Sequence, residues 1–231
     1  MNIFHRRPSP SAVGAANFDL LRARLENDVP RPAVIAITSS TAEDGKEIAA
    51  RGLACSLALA GYQTLLIDTS VDGYSLARPG QGPELEEIAR QLTFDPRAGN
   101  LVELILKDAA LQKRTSQRKV QLALEILRNK ADYVVISTES GASTPFGAAV
   151  VAAASAVLVT VKRGRRQKGG DAQLAVALKR LGARFLGVLA LDKSITIADH
   201  AVLSGSGTND GARRAQPAHV AKEYARQEAA G

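Results

Sequence analysis

The stretch from Ala33 to Asp72 constrains this chain more than any other. It opens with a β-branched run, Ala33–Thr38, and passes through a polar loop, Ser39–Gly45. Lys46 then begins an alanine-rich segment that stops at Gly61, and a second apolar run, Thr64–Ile67, ends in Asp68. Strand, polar loop, helix, strand is the unit from which parallel sheets are built, because parallel neighbours need a crossover long enough to hold a helix. Within that helix Ala49, Leu53, Leu57 and Ala60 make a narrow apolar face. Gly52 and the alanines permit close approach to a sheet, and Gly61 suits a helix stop.

The alternation continues along the chain. Asn17–Asn27 reads as a short amphipathic helix with Phe18, Leu21 and Leu25 on one face. Further helices are expected at 84–91, Leu101–Leu106, Gln117–Asn129, Ala148–Ala154 and Asp171–Leu181, and strands at Tyr133–Ile136, Ala156–Val161 and Phe185–Leu191. The expected class is α/β: a doubly wound, mostly parallel sheet with helices on both faces. Residues 1–16 are expected to be a flexible N-terminus, 17–203 the folded domain, and 204–231, opening SGSGTNDG, a flexible tail. Trp is absent and aromatic residues make up 4% of the chain, so the core must come from Ala, Val, Leu and Ile. The single cysteine, Cys55, excludes an internal disulfide framework and reads as a small packing residue. No apolar run approaches the ~20 residues of a membrane span. His5, His200 and His219 show no ligand spacing, so no metal site is expected.

The loop carries the candidate chemistry. A phosphate-binding loop directs backbone N–H groups and a helix N-terminus at an anion. Its usual pattern is G-x-x-x-x-G-K-[ST], with Lys on the outer phosphates and the hydroxyl on Mg²⁺. Gly45-Lys46 stand in the right place, but Ser40 falls at the first glycine and Glu47 at the hydroxyl. Ser40, Asp44, Gly45, Lys46, Glu47 and Asp68 are therefore the nucleotide-binding candidates. A carboxylate at Glu47 sets like charge beside a polyanion, at roughly 1 kcal/mol in water and roughly 4 at an effective dielectric near 20. The net charge is +7, concentrated in Lys162, Arg163, Arg165, Arg166 and Lys168, with a looser group at Lys107, Lys113, Arg114, Arg118 and Lys119. These read as solvated faces or as contacts for an anionic membrane surface or acidic partner. Nucleic acid is disfavoured because no stacking aromatics interleave them.

Over residues 17–195 the order of these motifs resembles the cytoplasmic kinase domains of bacterial tyrosine kinases of capsule and exopolysaccharide systems, relatives of the MinD/ParA deviant P-loop ATPases. The matching pieces are LRARL at 21–25, TSS at 38–40, Gly45-Lys46, LLID at 65–68, NLVELILKDAAL at 100–111, DYVVIST at 132–138, AVLVTV at 156–161 and GVLALD at 187–192. The resemblance implies a P-loop NTPase-like fold, and docking on a membrane-embedded polysaccharide chain-length regulator. It also implies a cytoplasmic protein held peripherally at the inner membrane. The departures fall on its catalytic positions. The family's second aspartate after the LLID strand is Ser70, the metal-associated aspartate of the next strand is Ser137, and the adenine-reading asparagine is Leu191. Its Glu-x-x-Arg-x-x-Arg ring-assembly pattern, the basis for a homo-oligomer, retains Arg22 with Ala16 and Asp19 at the other positions. Its terminal tyrosine cluster is reduced to one candidate phosphoacceptor, Tyr224. The expectation is a degenerate autokinase-like scaffolding subunit with MgATP binding weakened or lost. The alternatives are an active ATP-binding autokinase using Lys46, Asp68 and Glu47, and a ParA-like DNA- or membrane-positioning protein.

Overall fold

Ala33–Ser39 forms β2, which is buried at every position. A strand covered on both faces needs apolar side chains on both. Val34 and Ala36 accordingly enter one core cluster, and Ile35 and Ile37 enter the other. The computed structural model describes residues 2–6, 15–69, 85–94, 99–106, 116–164, 166 and 169–191.

The described elements follow in order as β1 (Asn2–Arg6), α1 (Ala15–Asp28), β2, α2 (Lys46–Leu59), β3 (Thr64–Asp68), α3 (Leu85–Gln91) and β4 (Leu101–Ile105). Then come α4 (Gln117–Arg128), β5 (Tyr133–Ser137), α5 (Pro145–Ala153), β6 (Ala156–Lys162), α6 (Gly169–Arg180) and β7 (Phe185–Leu191). One seven-stranded sheet runs β1-β4-β3-β5-β2-β6-β7. Strands β2 to β7 pair in parallel, and β1 adds to β4 antiparallel. Helices α1 and α2 cover one face through Leu25, Leu53 and Leu57. Helices α3 to α6 cover the other through Ile88, Leu124, Phe146, Val150, Leu174 and Leu178. The α/β class with a mostly parallel sheet covered on both faces holds.

Two readings are corrected. Leu101–Leu106, expected as a helix, is strand β4, with Thr64 N–H donating to Asn100 O at 2.7 Å and Leu106 N–H to Asp68 O at 2.8 Å. Residues 2–6, expected in a flexible N-terminus, form an edge strand paired with β4. The proposed tail from 204 lies outside the described residues.

Helix α1 docks on α2 through a contact that requires glycine. A Cβ on Gly52 would lie 2.3 Å from the Phe18 ring. Beside it the Ser56 hydroxyl donates to Asp19 at 2.5 Å and accepts from Arg22 Nε at 3.2 Å, while Arg22 Nη1 pairs with Glu26 at 3.1 Å. The one residue that matches the ring-assembly pattern is thus engaged within its own chain. Gly52→Ala should push Phe18 outward and cost about 1–3 kcal/mol, as overpacking does. Urea denaturation would read it, and an unchanged midpoint would mean α1 is not seated there.

Tyr133 is fully buried, and its hydroxyl has no partner among the described residues. Its ring meets Tyr62 edge-on at a centroid distance of 5.3 Å, and the Arg31 guanidinium lies 4.8 Å from the Tyr62 ring centre. Burial pushes the Tyr133 phenol up from 10.0 to about 12, partly offset by the Arg31 charge. The unfolded chain therefore loses this proton before the folded one does. Stability present below pH about 10 falls as the pH rises toward about 12. Tyr133→Phe should remove that alkaline loss. It should also stabilise the fold at neutral pH by up to about 1 kcal/mol, because it deletes an unsatisfied buried hydroxyl. Denaturation midpoints at pH about 7 and about 11 would check both signs.

Candidate functional site

The C-terminal ends of β2, β5 and β3 lie side by side, with Asp68 opposite Ser137 in the β3–β5 register. Loops after parallel strands gather at this edge, and the start of α2 stands above it. Ser39 closes β2 and donates its hydroxyl to Thr41 O at 2.6 Å, bending the chain into the short turn Ala42–Asp44. Gly45 then adopts φ +74, and a Cβ there would come within 2.8 Å of Leu191 Cδ1. Both the left-handed backbone and the leucine packed on it require glycine at this step.

The chain's own carboxylates take up donors of the loop. Asp44 is 1% exposed. Its Oδ2 accepts the Thr41 N–H at 3.2 Å and the Thr41 hydroxyl at 3.0 Å, and its Oδ1 accepts the Lys162 N–H at 3.0 Å. The Ser40 hydroxyl donates to Asp171 in the first turn of α6. Lys46 is buried at 4% exposure, with its Nζ 2.5 Å from Glu47 Oε1. The lysine that would meet outer phosphates is thus neutralised by the residue standing where a metal-holding hydroxyl would be.

Beneath the loop, Thr69 donates its N–H and hydroxyl to Ser137 O at 3.2 and 2.7 Å. The Ser137 hydroxyl is 1% exposed and has no partner among the described residues. Asp68 is half-buried at the end of β3. Among the described residues no group of three or more His, Cys, Asp or Glu side chains could hold a metal ion. The structure therefore gathers Ser40, Asp44, Gly45, Lys46 and Glu47 into one loop, with Asp68 across β5 from it. It makes Asp44 an internal staple.

Lys162 begins the basic stretch and is joined to the loop through its backbone bond to Asp44. Arg163 donates its N–H to Leu191 O at 2.7 Å, and Arg163 and Arg166 are exposed. Arg165, Lys168, Ser70 and Tyr224 lie outside the described residues. Sequence reading missed Glu139. Its Oε2 accepts the Thr144 hydroxyl at 2.6 Å, over the start of α5, while its backbone oxygen accepts the Thr38 hydroxyl at 3.1 Å. The available signal was Thr144-Pro145, a helix start whose N-terminal dipole attracts a nearby carboxylate. No helix among the described residues is long and apolar enough to cross a membrane.

No family model matches the chain. It is similar to the tyrosine-protein kinase CpsD of Streptococcus agalactiae, at 21% identity over 209 residues, covering 85% of this chain and 91% of that one. Among solved structures it is similar to the BceF tyrosine kinase domain, at 19% identity and a TM-score of 0.59, covering 81% of this chain and 83% of that one. It is also similar to the MinD cell division protein of Aquifex aeolicus, at 20% identity and a TM-score of 0.51, covering 73% of each chain.

Proposed function

We propose that this homologue of the CpsD tyrosine kinases, built on the P-loop frame shared by bacterial tyrosine-kinase domains and MinD/ParA-like proteins, serves capsular or exopolysaccharide assembly as a regulatory or scaffolding subunit. The observation that carries this reading is the pairing of the loop's cation and donors with internal carboxylates: Lys46 with Glu47, Thr41 with Asp44, and Ser40 with Asp171. Phosphoryl transfer depends on positioning and on charge neutralisation by Mg²⁺ and lysine. The donor set does not fit that task. Glu47 replaces the hydroxyl, and Ser137 offers a lone hydroxyl in place of a carboxylate. The fold does not need those groups, since its two cores lie below the loop.

In this role the protein docks on the cytoplasmic side of a membrane-embedded chain-length regulator. Lys162, Arg163 and Arg166, with Arg165 and Lys168 of the same stretch, supply the contact with an acidic partner segment or anionic lipid. Steady-state ATP hydrolysis and phosphorylation at Tyr224 test the reading. Purified wild type and Lys46→Met should be indistinguishable and at background. Turnover by wild type that Lys46→Met abolishes would make the protein an autokinase.

A further inference from the structure

At the outer edge of the sheet, β7 pairs with β6 alone among the described strands. None of its residues, Phe185–Leu191, is charged or proline, so two common guards against pairing with another chain are missing. Phe185 stands opposite Val157 and Val188 opposite Val159, so a bulge in β7 brings two residues three apart onto one face. Both are exposed, at 55% and 59%. With Val159, Val161, Leu174 and Leu178 they line an apolar groove of about 470 Å³ between β7 and α6.

The rim of this groove is basic. Lys179 lines it, and Arg180 and Arg184, next in sequence to Lys179 and Phe185, are exposed. On the other face of β7, a Cβ on Gly187 would lie 3.9 Å from Arg24 Nη1. Residues 140–191 carry eight Lys and Arg against one acidic residue, Asp171, so they hold the chain's whole net charge of +7 and the rest of the chain is neutral. Pairing β7 with β7 of a second copy would set two such positive edges side by side, and like charges repel. An acidic segment gains from the same field. Strand addition suits it, because the free backbone of an edge strand supplies affinity and the pockets beside it read alternate side chains.

We propose that the β7 edge takes an extended acidic segment of a partner protein as an added strand. Its apolar side chains enter the groove beside Phe185 and Val188, its intervening acidic side chains lie on the Arg24 side, and acidic residues flanking the groove meet Lys179 and Arg184. The proposal rests on the docking role above for the existence of a partner but not on the state of the loop: ATP turnover tests the one and peptide binding the other. Fluorescence anisotropy of a labelled peptide of four Val-Glu repeats, titrated with the full chain, is the test. Saturation is expected in the micromolar range. Binding should be weaker by about tenfold or more for the same peptide with Lys in place of Glu, and for Lys179→Glu/Arg184→Glu. Hydrogen exchange of wild type should show added protection of the β7 amides when the peptide is bound. No binding, equal binding of the two peptides, undiminished binding by the double variant, or unchanged β7 protection would each overturn the proposal. Two further results would name another occupant and also overturn it. One is binding of wild type, but not the double variant, to phosphatidylglycerol vesicles while neither binds the peptide. The other is a wild-type dimer that Val188→Asp dissociates and the peptide does not.

Discussion

Glu103→Leu should destabilise the protein by about 3–5 kcal/mol, the largest loss expected of any single substitution considered. Glu103 on β4 is 2% exposed and is held by both terminal nitrogens of Arg51 on α2, which is 9% exposed. The Arg51 Nε has no further partner among the described residues. Removing the carboxylate therefore leaves a buried guanidinium uncompensated between helix and sheet. Total stability of a domain is about 5–15 kcal/mol, so the variant should be near the edge of folding. Arg51→Met/Glu103→Leu should recover most of the loss, since an apolar pair of similar volume avoids the desolvation of both ions. Urea denaturation of the single and double variants reads this as a cycle. A loss below about 1 kcal/mol for the single variant would mean the pair is hydrated and peripheral.

Glu47→Thr should bring back measurable affinity for MgATP. The substitution removes a like charge beside the phosphate position and frees Lys46 from its 2.5 Å contact. It also supplies the missing hydroxyl. Relief of like charge is worth about 1–4 kcal/mol, or roughly five- to a thousandfold in affinity. Glu47→Ala separates the causes, because it removes the charge without adding a metal ligand. A gain shared equally by both variants, with no Mg²⁺ dependence, assigns the effect to charge alone. No gain in either would mean that Glu47 is not the barrier.

Where the residue pattern was self-contained, the fold was legible. Strands β2, β3, β5, β6 and β7 begin where their mainly apolar runs begin; β7 ends with its run, and the other four extend one polar residue further, to Ser39, Asp68, Ser137 and Lys162. Strand β4 was not legible, because Glu103 interrupts Leu101–Ile105 and makes a five-residue strand look like a helical face. Only Arg51, 52 residues earlier, explains how a glutamate is tolerated there. Strand β1 was hidden for a similar reason, since its pairing is with β4.

At the loop, Gly45-Lys46 and the Glu47 substitution could be read directly. The roles of Asp44 and Asp171 could not, because they arise from the bonds of Asp44 to Lys162 and of Ser40 to Asp171, residues far apart in the chain. Glu139 escaped notice because its contact with Thr144 depends on how the chain turns after β5.

In the loop Ser39–Gly45 and at Lys46 behind it, the donors of Ser40 and Thr41 and the lysine are held by the chain's own carboxylates, Asp171, Asp44 and Glu47. The most direct test of whether that pairing excludes nucleotide is a titration of the purified full chain with a fluorescent ATP analogue, with and without Mg²⁺. The expected result is no saturation up to about 1 mM, the upper end of ordinary enzyme affinities, and no difference between wild type and Lys46→Met. Saturable binding in the micromolar range that requires Mg²⁺ and disappears in Lys46→Met would contradict it.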